Sequence, residues 1–175
     1  MSRDPRRPLP PLDQPALERA ALRYVERYAT TRAKLVLYLN RKLRERGGEG
    51  PIDVDGLADR MAALRYVDDR AFAEARVASM TRRGLGPQRV RDALRQAGVG
   101  AADAGEFHET LEEGAEAAAL AFARRKRIGP FATAPVERDR REKQIAAMVR
   151  AGHAPSLARR IVGLEPSDDD TDWDG

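Results

Sequence analysis

The stretch Met80-Thr81-Arg82-Arg83-Gly84-Leu85-Gly86-Pro87-Gln88-Arg89-Val90-Arg91-Asp92-Ala93-Leu94 returns 68 residues later as Met148-Val149-Arg150-Ala151-Gly152-His153-Ala154-Pro155-Ser156-Leu157-Ala158-Arg159-Arg160-Ile161-Val162. Met80/Met148, Arg82/Arg150, Gly84/Gly152, Pro87/Pro155 and Arg91/Arg159 are identical pairs. Each copy reads as the end of a helix, a glycine suited to left-handed backbone, and a proline in the first turn of the next helix. Internal repetition decides architecture before any single motif does. A fainter copy lies upstream at a shift of 55, which sets Leu35 on Val90 and Leu39 on Leu94, with Thr31 in the place of Gly86. The chain is therefore predicted to be all-α, built of tandem three-helix, helix-turn-helix-like repeats. Such units bury their apolar faces partly against one another, which predicts an elongated, curved body.

Working outward, apolar residues recur at helical spacing. Leu17, Ala21, Tyr24 and Tyr28 mark one helix, and Leu35, Leu39 and Leu43 a second across a short Thr30-Thr31 turn. Gly47-Gly48-Glu49-Gly50-Pro51 is a break. Asp53 or Asp55 then caps a helix with Leu57, Met61 and Leu64 that runs to about Tyr66, and Asp68 or Asp69 caps the next, which carries Phe72, Ala73, Val77 and Met80. Residues 99–110 read as a small-residue connection, followed by a helix with Leu111, Ala115, Ala118 and Phe122. Two more helices carry Ile145, Met148, Val149 and Leu157, Ile161, Leu164. The predicted organisation is a Pro/Arg-rich disordered arm over 1–15, helical repeats over 16–50, 51–100 and 101–165, and an acidic disordered tail over 166–175.

Of 175 residues, 42% are hydrophobic but only 5% aromatic, which disfavours an aromatic-rich β-sandwich. The absence of Cys excludes disulfides, thiolate metal sites and cysteine nucleophiles. No apolar run approaches the roughly 20 residues of a membrane span, and the basic start has no apolar stretch behind it, so a cytoplasmic protein without a membrane role is expected. Glu165–Gly175 holds six acids and no base, so the net charge of +4 becomes +10 without that segment. A basic body of this kind points to a polyanionic partner, with solvated helix faces as the plain alternative.

Catalytic equipment is sparse. The two histidines, His108 and His153, have no triad-like or ligand-like neighbours, and His153 in its turn reads as a surface or capping residue. There is no phosphate-cradling glycine loop, and Asp168–Asp172 lacks the spaced ligands and glycine of a calcium loop. No enzyme, cofactor or metal is predicted. A helix-turn-helix reading would point Gln88, Arg89, Arg91, Asp92 and Arg95 at a DNA groove; the same residues could coat a solvated face or meet a protein, where Arg is favoured.

The run Leu64-Arg65-Tyr66-Val67-Asp68-Asp69-Arg70-Ala71-Phe72-Ala73, then Arg82-Arg83-Gly84-Leu85-Gly86-Pro87, then Val90, Leu94 and Gly98-Val99, resembles the core of the RecX family of bacterial recombinase regulators. Lys143-Gln144-Ile145 and Arg150-Ala151-Gly152-His153 to Arg160-Ile161 extend the resemblance into the last unit, over roughly residues 17–163 in all. One departure is Thr31-Arg32-Ala33-Lys34-Leu35, where the family commonly shows Ser-x-x-Glu-Leu, so the capping box of that helix is lost. The resemblance implies a monomer that lies in the groove of a RecA filament on single-stranded DNA and inhibits RecA ATPase, strand exchange and repressor co-cleavage, in the setting of DNA repair and the SOS response. Weak direct DNA binding is a second implied contact. The alternative is a basic helix-turn-helix-like protein acting on DNA directly.

Within that reading Asp68, Asp69, Phe72, Gly84 and Gly86 are structural, as caps, core and turn. The candidate contacts are the outward bases Arg82, Arg83, Arg89, Arg91 and Arg95, then Arg124, Arg125, Lys126 and Arg127, then Arg150, Arg159 and Arg160. The acidic tail is expected to compete for this basic surface.

Overall fold

The computed structural model describes residues 10–134 and 136–166. Contacts divide the chain into two compact units, one holding the residues up to Phe72 with Ala97–Gly100, the other Ala73–Gln96 with the residues from Ala101 on. In the first unit α1 (Gln14–Arg27), α2 (Arg32–Arg46) and α3 (Val54–Ala63) enclose Leu12, Leu17, Ala21, Leu35, Leu39, Leu57, Ala58, Met61 and Val67. α4 (Asp69–Arg82) has its first turn in that unit, and the rest lies in the second with α5 (Pro87–Gln96), α6 (Ala101–Gly105), α7 (His108–Glu113), α8 (Ala115–Lys126), α9 (Arg138–Arg150) and α10 (Pro155–Gly163). There Ala119, Phe122, Ala123, Ile128, Met148, Ala151, Ala158, Ile161 and Val162 form the core. Each large aliphatic side chain removed from water in this way contributes about 1.5–3 kcal/mol.

The repeat is visible in the helix ends. A shift of 55 lays α1 on α4 at both ends and the start of α2 on the start of α5. A shift of 68 lays Arg82, the last residue of α4, on Arg150, the last of α9, and Pro87 on Pro155, the first residue of α10. The fold is all-α and repetitive, as the sequence predicts.

Local chemistry explains the starts. Asp13 accepts a hydrogen bond from the Ala16 amide at 2.8 Å, Asp53 from Gly56 at 2.8 Å, and Asp68 from Ala71 at 2.9 Å, each satisfying an otherwise orphaned amide of a first turn. Thr31 caps α2 by accepting from the Lys34 amide at 3.2 Å, and its buried hydroxyl donates to the Ala97 carbonyl at 2.5 Å. Asp69 is not the cap of its own helix. It accepts from the Arg32 amide at 2.8 Å, so a carboxylate distant in sequence serves the first turn of α2, where Lys34 cannot complete a capping box.

Four expectations are corrected. The arm does not extend to residue 15, because Leu12 is 2% exposed in the first core and exchanges backbone bonds with Gly47 and Glu49, and α1 already begins at Gln14; residues 1–9 lie outside the described residues. The glycine break at 47–51 is an internal turn, since α3 packs on α2 within the first unit. Residues 101–113 contain two short helices, and Gly114 separates α7 from α8, so Leu111 and Phe122 do not share one helix. α3 stops at Ala63, with Arg65 in left-handed backbone (φ 61°). The acidic tail from 167 on lies outside the described residues.

Candidate interaction surface

The two repeated turns of the second unit meet each other. The Gly86 amide donates to the Ala151 carbonyl at 2.9 Å and the Gln88 amide to Gly152 at 3.2 Å, so the α4–α5 turn docks backbone to backbone on the α9–α10 turn. Glycine is required on both sides of this joint. A Cβ on Gly86 would stand 2.6 Å from the His153 nitrogen, and one on Gly152 2.5 Å from Cβ of Arg89, with Gly152 itself at φ +96°. The signature glycines Gly84 and Gly86 are thus structural, and so are Asp68 and Asp69 as caps. Phe72 is half-buried with the Lys34 ammonium 4.9 Å above its ring.

His153 belongs to the interior of this joint, contrary to the surface role expected of it. It is 2% exposed, its ring meets Phe122 edge-on at 5.6 Å, and Nε2–H donates to the Gly84 carbonyl at 3.1 Å. That bond fixes the tautomer and leaves Nδ1 buried with no hydrogen-bonding partner among the described residues. Burial pushes the imidazole below its ordinary pKa of 6.5, against a smaller opposite effect of the Gly84 bond. No sequence motif announced this contact; the only signal was that the turn of one repeat carries small residues where the other must approach.

Around the joint lie the candidate bases. Arg82, Arg83 and Arg89 on the α4–α5 side, and Arg150, Arg159 and Arg160 on the α9–α10 side, are exposed. Arg124, Arg125, Lys126 and Arg127 form an exposed run at the end of α8, where cations also suit the helix dipole. Arg124 lies over the Phe131 ring at 5.1 Å, and Arg127 closes α8 in left-handed backbone (φ 53°).

Among the described residues, three of the twelve candidates are held in ion pairs. Arg91 pairs with Glu112 at 2.6 Å, tying α5 to α7; Arg160 pairs with Glu116 at 3.0 Å, tying α10 to α8; Arg95 pairs with Asp92 one turn earlier. Exposed pairs of this kind contribute about 0–1 kcal/mol, but they neutralise the charge they hold. The spacing of Asp92 and Arg95 made one pair readable in advance, whereas the other two depend on tertiary packing. Among the described residues no cluster of His, Asp and Glu could hold a metal ion, and no helix is long and apolar enough to cross a membrane.

The family model described as the second three-helix domain of RecX matches residues 68–106, the span of α4 to α6. The regulatory protein RecX of Myxococcus xanthus (strain DK1622) is 33% identical over 166 residues, covering 86% of this chain and 86% of that protein. Its counterpart in Halorhodospira halophila (strain DSM 244 / SL1) is 36% identical over 157 residues, covering 89% and 91%. A crystal structure of regulatory protein RecX superposes with a TM-score of 0.62 at 25% identity, over 85% of this chain and 70% of that one.

Proposed function

The chain belongs to the RecX family of regulatory proteins, and from that premise we propose that it acts as a monomer on a RecA filament assembled on single-stranded DNA. It binds in the filament groove and slows ATP hydrolysis, strand exchange and repressor co-cleavage. The observation that supports this reading is the set of exposed bases around the docked turns and at the end of α8: Arg82, Arg83, Arg89, Arg125, Lys126, Arg127, Arg150 and Arg159 are held in no described ion pair, and a glycine-built joint fixes the backbone that carries the flanking ones. Cations fixed to a rigid backbone suit a surface of phosphates and carboxylates, because little motion is lost on binding. Arg91, Arg95 and Arg160, already paired, serve the scaffold more than the partner.

The test is ATP hydrolysis by the cognate RecA on single-stranded DNA, with this protein titrated well below the RecA concentration. Substoichiometric loss of hydrolysis is the expected result, since one bound molecule then silences several subunits. An unchanged rate at every ratio, together with salt-sensitive binding to bare DNA, overturns the reading in favour of direct action on DNA.

A further inference from the structure

The most distinctive cluster outside this surface lies in the first unit, between α1 and α2. The rings of Tyr24 and Tyr38 are stacked, with centroids 4.1 Å apart and planes 14° from parallel, and Tyr28 leans on Tyr24 at 5.3 Å. The Arg41 guanidinium stands 5.6 Å from the Tyr38 centroid and the Lys42 ammonium 5.9 Å from it. These side chains, with Arg23, Glu26 and Arg27, line an open cleft of about 860 Å³. Glu45 holds Lys42 at 2.9 Å and Arg41 at 3.7 Å, which fixes two of the cations beside the rings, while no described ion pair engages Arg23 or Arg27.

Tyr24 and Tyr38 also pack against the first core, but the repeated helix pair does not require aromatics at these places. At the shift that lays α1 on α4, the positions of Tyr24, Tyr28 and Tyr38 are taken by Ser79, Arg83 and Ala93. In the last unit they fall on Ala147, Ala151 and Ile161. The same helix pair therefore forms three times and carries tyrosines once, using three of the four in a chain poor in aromatics. Tyr28, the residue that follows α1, is 52% exposed, so the apolar spacing of that helix runs out of the core at its end.

We infer that this cleft binds an unpaired nucleic-acid strand, with bases stacking on the Tyr28–Tyr24–Tyr38 series and phosphates meeting Arg23 and Arg27. A strand alternates a flat apolar base with an anionic phosphate, and the cleft is lined by both flat rings and guanidinium groups. Stacking accepts any base, because each presents a π-face, and the flanking cations supply the salt-dependent part of the affinity. A duplex keeps its bases paired and stacked internally and cannot use the rings. The inference requires no RecA and does not rest on the filament reading.

The experiment is fluorescence anisotropy of the full chain, without any other protein, on labelled thymidine and uridine strands of about 20 nucleotides and on a duplex of equal length. Tyr28→Ala is expected to weaken binding to at least one unpaired strand about fivefold or more, with Tyr28→Phe within about twofold of the parent. Duplex affinity stays unmoved by Tyr28→Ala. The pair Arg23→Ala and Arg27→Ala is expected to make the salt dependence shallower, since each phosphate contact adds about 0.7 to the slope on a single strand. The thymidine and uridine arms show which backbone sugar the cleft accepts. Circular dichroism checks that helix content is retained. Unchanged affinity of Tyr28→Ala for both unpaired strands, or an equal loss on the duplex, overturns the inference. Failure of RecA regulation, read by ATP hydrolysis, leaves this result untouched.

Discussion

Nε2 of His153 lies 3.1 Å from the carbonyl oxygen of Gly84, a residue 69 positions earlier in the chain, so one imidazole bolts together the turns of two repeats. Nδ1, buried and without a hydrogen-bonding partner among the described residues, has no acceptor there for a second proton. Burial lowers the folded-state pKa below 6.5, and the sign follows: above that pH neither folded nor unfolded chain carries the proton, while below it the unfolded chain takes it up first. Stability therefore falls as pH drops through 6.5, until the folded ring is itself protonated. Thermal midpoints between about pH 7.5 and 5 are expected to decline more steeply for the parent than for His153→Gln, which can still donate to Gly84 but does not titrate. Equal slopes would show that the ring is not held neutral.

A separate acid limb belongs to the carboxylates. Asp59 is held below its ordinary value of 3.8 chiefly by its hydrogen bond from Arg32, and Asp68 chiefly by the Ala71 amide and then by Arg65. Their contribution is present above that value and is lost as pH falls below it. Asp68→Asn is expected to flatten this limb while leaving the histidine limb unchanged, as read by urea midpoints across the acid range.

Gly84 and Gly47 both adopt positive φ, +68° and +79°, yet substitution at the two should differ. A Cβ on Gly47 meets nothing within 4 Å, so Gly47→Ala carries only the cost of a backbone (φ 79°, ψ 159°) that is essentially restricted to glycine, about 1–3 kcal/mol. A Cβ on Gly84 would stand 2.6 Å from the Phe122 nitrogen, backbone that cannot swing aside. Gly84→Ala is expected to cost about 3 kcal/mol or more, with a lowered urea midpoint and His153 released from its carbonyl.

Thr31→Val keeps the shape of a fully buried side chain and removes its hydroxyl. The Ala97 carbonyl then loses its donor and the Lys34 amide its acceptor, for a cost of about 1–3 kcal/mol. Asp69→Ala, which frees the Arg32 amide, is expected to cost about 1 kcal/mol. A double variant whose cost departs from the sum would measure how far the two caps support one first turn of α2.

What could be read in advance follows the range of the interactions involved. Helix ends were legible because Gly84, Gly152, Pro87 and Pro155 act within a few residues of themselves, and repetition then fixed the register of α4–α5 and α9–α10. Leu12 was hidden because a single apolar side chain in a proline-rich run carries no periodicity, although it reaches the core. Asp68 and Asp69 looked equivalent as neighbours, and only the tertiary approach of Arg32 separates their roles. The basic candidates were found as charges, but not which ones Glu112 and Glu116 neutralise. Tyr24 and Tyr28 are legible as positions of one helical stripe, but Tyr38 carries no signal of its own, and its stacking on Tyr24 across α1 and α2 needs the fold.

Arg127 offers a way to separate contact from stability. It is exposed in the basic run that closes α8, and its φ of 53° is a conformation that costs a side-chain-bearing residue about 1–2 kcal/mol. Glycine suits that position at a helix C-terminus, although its greater freedom in the unfolded chain offsets part of the gain. Arg127→Gly is therefore expected to raise stability by up to about 1 kcal/mol while removing one cation from the proposed partner surface. Under the filament reading this variant inhibits RecA ATP hydrolysis less well despite folding better, a combination that damage to the fold cannot produce. Arg91→Ala should do the reverse, shifting stability by about 0–1 kcal/mol through the lost Glu112 pair and leaving inhibition close to that of the parent. If the two variants inhibit alike, the unpaired bases are not the ones that make contact.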